Sequence, residues 1–223
     1  MSWEDLHEVV KNWSDLNVER PFLNQQAPFL VDAAEEGLKR KYPDLELATL
    51  AILELEHRES PKAIKSASKI RAILREKGHQ PISWLISTRR NLQFLKFEHK
   101  PKKSYTTSLY VILRDGFSEN NGRYGIYVGE TTKAVEERFE QHMSGIKAGK
   151  GLPKHGIQLL HSLMWPWQKV QRKDSMNLFY ESALHKALTL NKSAVPKVSG
   201  NTQEISDWPD GFQKKLLAQI GRH

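Results

Sequence analysis

The sequence predicts an α+β protein, in which an N-terminal helical bundle precedes a small mixed or antiparallel sheet flanked by helices. In the first hundred residues, apolar side chains recur at spacings of three and four, which is typical of helices. After residue 104, short apolar runs and turn-rich stretches alternate with amphipathic segments in the order β-β-α-β-α. A basic, proline-containing stretch, EHKPKKSYTT, separates the halves. We therefore predict a helical domain over 1–99 and a second domain over 104–223.

Three helices are predicted before residue 58. The first spans SWEDLHEVVKNWSDL, with its apolar stripe running to Leu16, Ser2 as N-cap and Asp5 three residues later. The second spans APFLVDAAEEGLKRKY and stops before Pro43. The third spans DLELATLAILELEH and is apolar on more than one side, which predicts a place inside the bundle.

Two more helices complete the predicted bundle. Ser60 and Pro61 have the residue types of an N-cap and a first helical position, and Gly78 ends the helix that follows them. The next segment, ISWLISTRRNLQFLKF, predicts a fifth helix that ends near Phe97. Whether the fourth and fifth helices form a helix-turn-helix is left open by the sequence.

The second half begins with two strands, SLYVILRDG and IYVGET, which predict a β-hairpin with a long loop. A helix over TKAVEERFEQHMSGI and a basic loop, KAGKGLPKHG, follow. We predict a third strand around 162–170, at an edge or bulge because of Pro166. A helix over KDSMNLFYESALHKALTL, a loop over NKSAVPKVSGN and a final helix over SDWPDGFQKKLLAQI complete the prediction.

Charge is distributed unevenly along the chain, whose formal net charge is +8. Residues 1–59 carry a net charge of −7, whereas residues 60–103 carry +10. Such a basic segment favours a polyanionic partner, although a solvated helix face would have the same composition. No apolar run is long enough for a membrane span, and the chain has no cysteine, so we expect no membrane association and a cytoplasmic location.

Five polar residues of the second half are candidates for a catalytic site: Tyr110, Tyr127, Arg138, His142 and Glu181. The tyrosines lie on neighbouring strands of the predicted hairpin, and the arginine and histidine are four residues apart on one helix face. A carboxylate can bind a hard divalent cation, and an arginine can stabilise negative charge on a phosphate. Together these side chains suit the hydrolysis of a phosphodiester bond.

The order of these residues resembles that of the GIY-YIG nuclease superfamily, over residues 104–201. Residues 108–110, Ser-Leu-Tyr, are similar to its first motif, and residues 127–129, Tyr-Val-Gly, to its second. The literal Gly-Ile-Tyr at 125–127 therefore belongs to the second strand and is not the first motif. The family's helix arginine and histidine correspond to Arg138 and His142, and its metal-binding glutamate to Glu181. Its supporting asparagine corresponds to Asn201, with Asn191 as the alternative.

The resemblance implies a divalent-metal-dependent DNA endonuclease. Glu181 would hold Mg²⁺ (or Mn²⁺), and Tyr110 or Tyr127 would position and deprotonate the attacking water. Arg138 would stabilise the pentavalent phosphate, and His142 would orient water or contact the phosphate. A tyrosine can act as a base near neutral pH only if its pKa is lowered from about 10.

Three features depart from the family's pattern. The first motif has no glycine, and the loop between the two motif strands is extended. Glu130 follows the second motif, where some members carry a lysine, so its charge is expected to weaken phosphate binding.

Eight basic residues are predicted to contact nucleic acid: Lys69, Arg89, Arg90, Lys102, Lys103, Lys133, Lys154 and His155. Two other functions stay open at this point. The chain could be a non-catalytic nucleic-acid-binding protein on the same fold, or an interaction module for an acidic protein partner. A homodimer is possible, since one active site that cuts both strands needs two copies or two visits.

Overall fold

The computed structural model describes residues 2–13, 20–92, 106–115, 124–164 and 197–200, together with the single positions 181, 182, 184, 185, 188, 189 and 195. The chain divides into two compact units, Met1–Leu85 and Ile86–His223. Within the described residues, no helix has the length and apolar character that a membrane crossing requires.

The first unit begins with three helices: α1 (Trp3–Lys11), α2 (Ala27–Gly37) and α3 (Leu45–His57). The predicted capping box is confirmed, because the Ser2 backbone N–H donates to Asp5 over 2.7 Å and the Asp5 N–H donates back to the Ser2 hydroxyl. Helix α1 ends at Lys11, several residues before the predicted end. Helix α2 ends at Gly37, where a side chain would collide with the Trp3 ring.

Asp44 joins α1 to α3. One carboxylate oxygen accepts from the Trp3 indole N–H over 3.0 Å and lies 2.8 Å from Nδ1 of His7. The other oxygen caps α3 by accepting the Leu47 N–H. Burial by itself would raise the pKa of Asp44, but the bond from His7 and its charge lower it. Burial by itself would lower the pKa of His7, but the bond to Asp44 and the charge of Asp44 outweigh burial and raise it.

The fourth predicted helix is confirmed as α4 (Pro61–Glu76). The Ser60 hydroxyl accepts the Ala63 N–H over 3.2 Å, as the predicted cap requires. Gly78 follows the helix with φ 73°, a conformation that glycine adopts without strain. Helix α5 spans Leu85–Leu92; residues 82–84, where the predicted fifth helix began, are not helical, and residues 93–97 lie outside the described part of the chain.

The second unit contains a mixed four-stranded sheet made of β1 (Ser108–Arg114), β2 (Gly125–Thr131), β3 (Gly156–Leu159) and β4 (Val198–Ser199). The strand order is β3-β1-β2-β4; β1 is antiparallel to both neighbours, and β4 is parallel to β2. The predicted hairpin is confirmed, and so is the predicted α+β fold with a small mixed sheet.

The start of the predicted third strand is wrong. Residues 162–164 lie in a short helix, α8 (His161–Met164), whereas the strand after α6 is β3; residues 165–170 of the prediction lie outside the described residues. The ladder with β1 ends as the Leu160 N–H donates to the Val111 carbonyl over 2.9 Å. All four residues of α8 are buried, and a short stretch that is buried throughout carries no period that distinguishes a strand from a helix.

Two short elements lie in segments that we predicted to be loops. Helix α7 (Leu152–His155) lies inside the basic KAGKGLPKHG segment, and β4 lies inside NKSAVPKVSGN. The predicted helix after β2 is confirmed as α6 (Val135–Met143). The described residues of the next predicted helix, between 181 and 189, are helical, and the predicted final helix lies outside the described residues.

Candidate active site

The register of the hairpin places the two motif tyrosines on one face of the sheet. Tyr110 lies opposite Gly129, and Ile112 lies opposite Tyr127. Because side chains alternate along a strand, these four positions share a face, and the tyrosines are diagonal neighbours. Their ring centroids are 6.3 Å apart. The predicted proximity of the two phenols is therefore present in the structure.

Gly129 makes room for the Tyr110 ring. A Cβ atom at this position would overlap both Cζ and the hydroxyl oxygen of Tyr110. The tyrosine ring consequently lies across the glycine of the facing strand. The Tyr-Val-Gly sequence of β2 thus supplies the Tyr127 side chain and, at Gly129, the space that Tyr110 of β1 occupies.

His142 contacts both tyrosines from α6. Its Nε2 lies 2.6 Å from the hydroxyl oxygen of Tyr110, and its ring meets the Tyr127 ring edge-on with centroids 5.5 Å apart. The side chain is completely buried. The other ring nitrogen, Nδ1, accepts the backbone N–H of Gly149 over 3.0 Å.

The bond from Gly149 determines which nitrogen of His142 carries the proton. A backbone N–H can only donate, so Nδ1 must be the unprotonated acceptor. In a neutral imidazole the proton then lies on Nε2, which donates to the Tyr110 hydroxyl oxygen. Burial and the charge of Arg138 lower the pKa of His142 to about 4, so this neutral form prevails near pH 7.

Both tyrosines keep their protons near neutral pH. Burial, followed by the charge of Tyr127, raises the pKa of Tyr110, and Arg138 only partly opposes this rise. Burial and the charge of Glu181 likewise raise the pKa of Tyr127. This direction is the opposite of the one that a tyrosine base requires. In this state the two hydroxyls are hydrogen-bond donors.

Arg138 lies one helical turn before His142 and is half-buried. Its Nη2 donates to the carbonyl oxygen of Lys147 over 2.9 Å, and its Nη1 donates to the Gln141 side chain over 3.3 Å. Its charge influences the pKa values of Tyr110 and His142. The guanidinium is therefore held at the site by a helix neighbour and by the following loop.

Glu181 supplies a carboxylate to the same region. Glu181 is one of the described helical residues between 181 and 189, and it is 2% exposed. Its charge contributes to the raised pKa of both Tyr110 and Tyr127. Direct contacts thus join Tyr110, Tyr127 and His142, while Arg138 and Glu181 act on the tyrosines through their charges.

The donor atoms of this cluster suit a hard cation better than a soft one. The described residues contain no group of three or more histidine, aspartate or glutamate side chains that could hold a metal ion. Glu181 brings one carboxylate, and the neighbouring tyrosines bring oxygen atoms. Mg²⁺ commonly uses one or two carboxylates and completes its shell with water and substrate phosphate. Glu181 is therefore the residue of this cluster that could hold Mg²⁺ or Mn²⁺.

The alternation along β2 also locates Glu130. It lies opposite Leu109 and therefore on the face of the sheet away from Tyr110 and Tyr127. The expected weakening of phosphate binding by this carboxylate is accordingly reduced, because the sheet lies between its side chain and the cluster.

The loop between α6 and α7 also contributes to the site, although its residues were not predicted to do so. The backbone carbonyl oxygen of Lys147 accepts a hydrogen bond from Arg138, and the backbone N–H of Gly149 donates one to Nδ1 of His142. The Gly149 Cα also packs against the Tyr127 ring, since a Cβ there would lie 2.6 Å from Cε2 of that ring. The one available signal was a glycine-containing basic loop directly after the helix that bears the arginine and histidine.

The predicted nucleic-acid contacts of the second unit differ in their surroundings. Lys133, just before α6, forms an ion pair with Glu137 in the first turn of that helix. Lys154 is exposed on α7. Nδ1 of His155 lies 2.9 Å from a carboxylate oxygen of Asp115, so this histidine has an acidic partner within the protein.

The remaining predicted contacts divide in the same way. Lys69 is exposed on α4, where it lies 3.6 Å from Glu35 and lines an open groove with Lys62 and Lys65. Arg90 is exposed. Arg89 is a correction: it is 2% exposed, because it faces inward from α5, and does not form part of a basic surface. Four predicted residues lie outside the described part of the chain: Lys102, Lys103, Asn201 and its alternative Asn191.

Gly200, the residue before the predicted Asn201, lies against the backbone of β2 at Val128. Its φ is 143°, and a Cβ atom there would overlap the Val128 carbonyl oxygen. The backbone thus approaches β2 as closely as only glycine permits.

Comparison with known proteins adds no relative: no family model, no curated protein and no solved structure matches this chain.

Proposed function

We propose that the chain is a divalent-metal-dependent endonuclease of the GIY-YIG type that hydrolyses phosphodiester bonds in DNA. The observation that carries the proposal is the contact among Tyr110, Tyr127 and His142, together with the influence of the Arg138 and Glu181 charges on the pKa values of both tyrosines. A fold needs no such grouping of a carboxylate, a guanidinium and two phenols, and the family resemblance assigns each of them to one site.

The protein's own residues have distinct roles in this proposal. Arg138 supplies a positive charge for the phosphate oxygens as negative charge develops on them. Tyr110 accepts a hydrogen bond from His142 and keeps its own proton for another acceptor, which in the proposed complex is a phosphate oxygen or a water. Tyr127 provides a second hydroxyl on the same face. His142 therefore acts by orienting Tyr110, and it does not need to take up a proton.

Glu181 is the residue that would hold the metal ion. When bound, Mg²⁺ or Mn²⁺ would neutralise phosphate charge and lower the pKa of a bound water. The raised pKa values of the tyrosines support this division of labour, because a protonated phenol is a poor base for water. DNA is the proposed partner and the cytoplasm the proposed location; a homodimer would let two sites cut opposite strands.

The experiment is incubation of the purified protein with supercoiled plasmid in Mg²⁺ or in excess EDTA. We expect nicked and linear products in Mg²⁺ and intact plasmid in EDTA. Retention of the plasmid without cleavage in either buffer would support the second candidate, a non-catalytic nucleic-acid-binding protein. That candidate is favoured by one observation: the pKa values of both Tyr110 and Tyr127 are raised, so neither suits the tyrosine base that the family resemblance implies. If the plasmid is neither cleaved nor retained, the interaction module for an acidic protein is favoured.

A further inference from the structure

The loop between α6 and α7 is attached to the site by its backbone alone. The Lys147 carbonyl accepts from Arg138, the Gly149 N–H donates to His142, and the Lys150 carbonyl accepts from Nη1 of Arg114 over 3.2 Å. Three backbone groups within four residues, at positions 147, 149 and 150, are thus hydrogen-bonded to the rest of the unit. They use the polar groups of the main chain and leave the lysine side chains available.

Lys147 adopts a conformation that its residue type does not favour. Its φ is 45°, in the left-handed region, where a non-glycine residue costs on the order of 1 kcal/mol. The attachment of its carbonyl to Arg138 accounts for this conformation. A strained residue in a glycine-rich loop is retained where its surroundings determine the geometry, and here the surroundings are the candidate site.

The side chains on this loop are exposed and basic. Lys147 and Lys150 are both exposed, as is Lys154 on α7. No aspartate or glutamate occurs from residue 141 to residue 164. The stretch therefore presents positive charge directly beside the side chains that would surround a scissile phosphate.

The nearby carboxylates do not cancel this charge. Glu137 is bonded by Lys133 and by Gln141. Glu136 and Glu140 are spaced so that they occupy the side of α6 away from Arg138 and His142. Asp115 is bonded to His155. Each of these acidic groups is thus paired or directed away from the loop.

We propose that Lys147 and Lys150 form a phosphate clamp, which binds the DNA backbone at phosphates next to the scissile one. This inference rests on the proposed function. Because the loop backbone is bonded to Arg138 and His142, phosphates held by the two lysines are placed in a constant relation to the catalytic side chains. The clamp thus contributes affinity and strand placement and takes no part in the chemical step.

The test measures binding of a labelled DNA duplex by fluorescence anisotropy in EDTA, at several salt concentrations. The double variant Lys147→Gln, Lys150→Gln keeps the side-chain stems and the backbone bonds but removes two charges. The matched control is Lys39→Gln, Lys41→Gln, which removes two charges from exposed lysines of the first unit. Cleavage in Mg²⁺ is measured for the same proteins.

We expect the dependence of log Kd on log salt to weaken by about 2 in the clamp variant, since each phosphate contact contributes about 0.9. Affinity at moderate salt should fall roughly tenfold. The control pair should leave the salt dependence unchanged. An unchanged salt dependence in the clamp variant, or an equal decrease in the control, would overturn the clamp.

The two proposals fail in different ways. If no protein cleaves DNA but the clamp variant still loses salt dependence, the endonuclease proposal fails and the binding surface stands. If the wild-type protein cleaves DNA and the clamp variant binds normally, only the clamp fails. If the variant loses binding to polyglutamate as strongly as to DNA, the surface is one for acidic polypeptides, and the clamp is again overturned.

Discussion

The Nε2–H of His142 donates to the hydroxyl oxygen of Tyr110 over 2.6 Å, because the Gly149 N–H occupies the other ring nitrogen. This relationship assigns the proton of the contact to the histidine. The Tyr110 hydroxyl is consequently an acceptor toward His142, and its own proton is donated elsewhere. A buried neutral histidine thus determines which role the tyrosine hydroxyl has in this contact.

The first prediction concerns that pair. Tyr110→Phe should lower kcat by about 10²–10³-fold, since it removes a positioned hydroxyl and leaves the Nε2–H of His142 without its acceptor. The lost bond should also reduce the free energy of unfolding by about 1–2 kcal/mol. Single-turnover cleavage and urea denaturation measure the two effects. Lys77→Gln, at an exposed position in the first unit, is the control; wild-type cleavage by Tyr110→Phe would contradict the assigned role.

The second prediction concerns the protonation of His142. The ¹⁵N chemical shifts of its ring should show a proton on Nε2 alone from pH 8 down to about pH 5, and protonation only near pH 4. Histidine-selective labelling with a His142→Gln variant identifies the signal. A proton on Nδ1, or a transition near the ordinary pKa of 6.5, would contradict the bond from Gly149.

A third prediction follows from the same lowered pKa. Between pH 6.5 and pH 4 the unfolded state binds a proton at His142 that the folded state does not. The folded protein should therefore lose on the order of 3 kcal/mol of stability as the pH falls through this range. The measured quantity is the difference in unfolding free energy between the wild-type protein and His142→Gln, which cancels the contributions of other groups. No change in that difference with pH would refute the prediction.

The fourth prediction tests the space at Gly129. Gly129→Ala should displace the Tyr110 ring, costing about 1–3 kcal/mol in stability through overpacking and greatly reducing cleavage. Gly78→Ala is the matched control: its φ of 73° also penalises a side chain, but nothing lies within 4 Å of the added atom. The control should lose about 1 kcal/mol of stability and keep its cleavage rate. Equal cleavage by both variants would show that Tyr110 does not depend on this glycine.

The fifth prediction concerns the first unit. Asp44→Ala should destabilise the protein by about 3 kcal/mol, because it removes the cap of α3 and the acceptor for Trp3 and His7. The raised pKa of His7 adds stability that is complete below pH 6.5 and is lost as the pH rises through the folded value. Asp44→Asn should retain most of the cap and lose this pH dependence. Chemical denaturation between pH 5 and pH 9 measures both variants.

The parts of the fold that the sequence predicted are those with strong local signals. The capping box at Ser2, the Ser60 cap with its proline, and the alternation through Tyr110 and Tyr127 each depend on a few neighbouring residues. The start of the third strand was wrong because residues 157–164 are buried throughout, in β3 and in α8 alike, although Gln158, His161 and Ser162 among them are polar. A short stretch that is buried on every side carries no period that separates the two structures.

The candidate site was predicted residue by residue, but its connections were not. The order of Tyr110, Arg138 and Glu181 in the chain could be compared with a motif. The role of Gly149 could not, since it acts through a backbone N–H and through the lack of a side chain against Tyr127. The burial of Arg89 was equally hidden, because a basic pair within an amphipathic segment gives no sign of which member faces inward.

The most direct measurement of the central claim is single-turnover cleavage of a labelled DNA duplex in Mg²⁺ by the wild-type protein, Glu181→Gln and Glu140→Gln. The first variant removes the buried carboxylate beside the two tyrosines, and the second removes an exposed carboxylate of α6. We predict cleavage by the wild-type protein and by Glu140→Gln, and a loss of at least about 10³-fold for Glu181→Gln. Cleavage by Glu181→Gln at the wild-type rate, or no cleavage by any of the three proteins, would contradict the assignment of this cluster as a nuclease site.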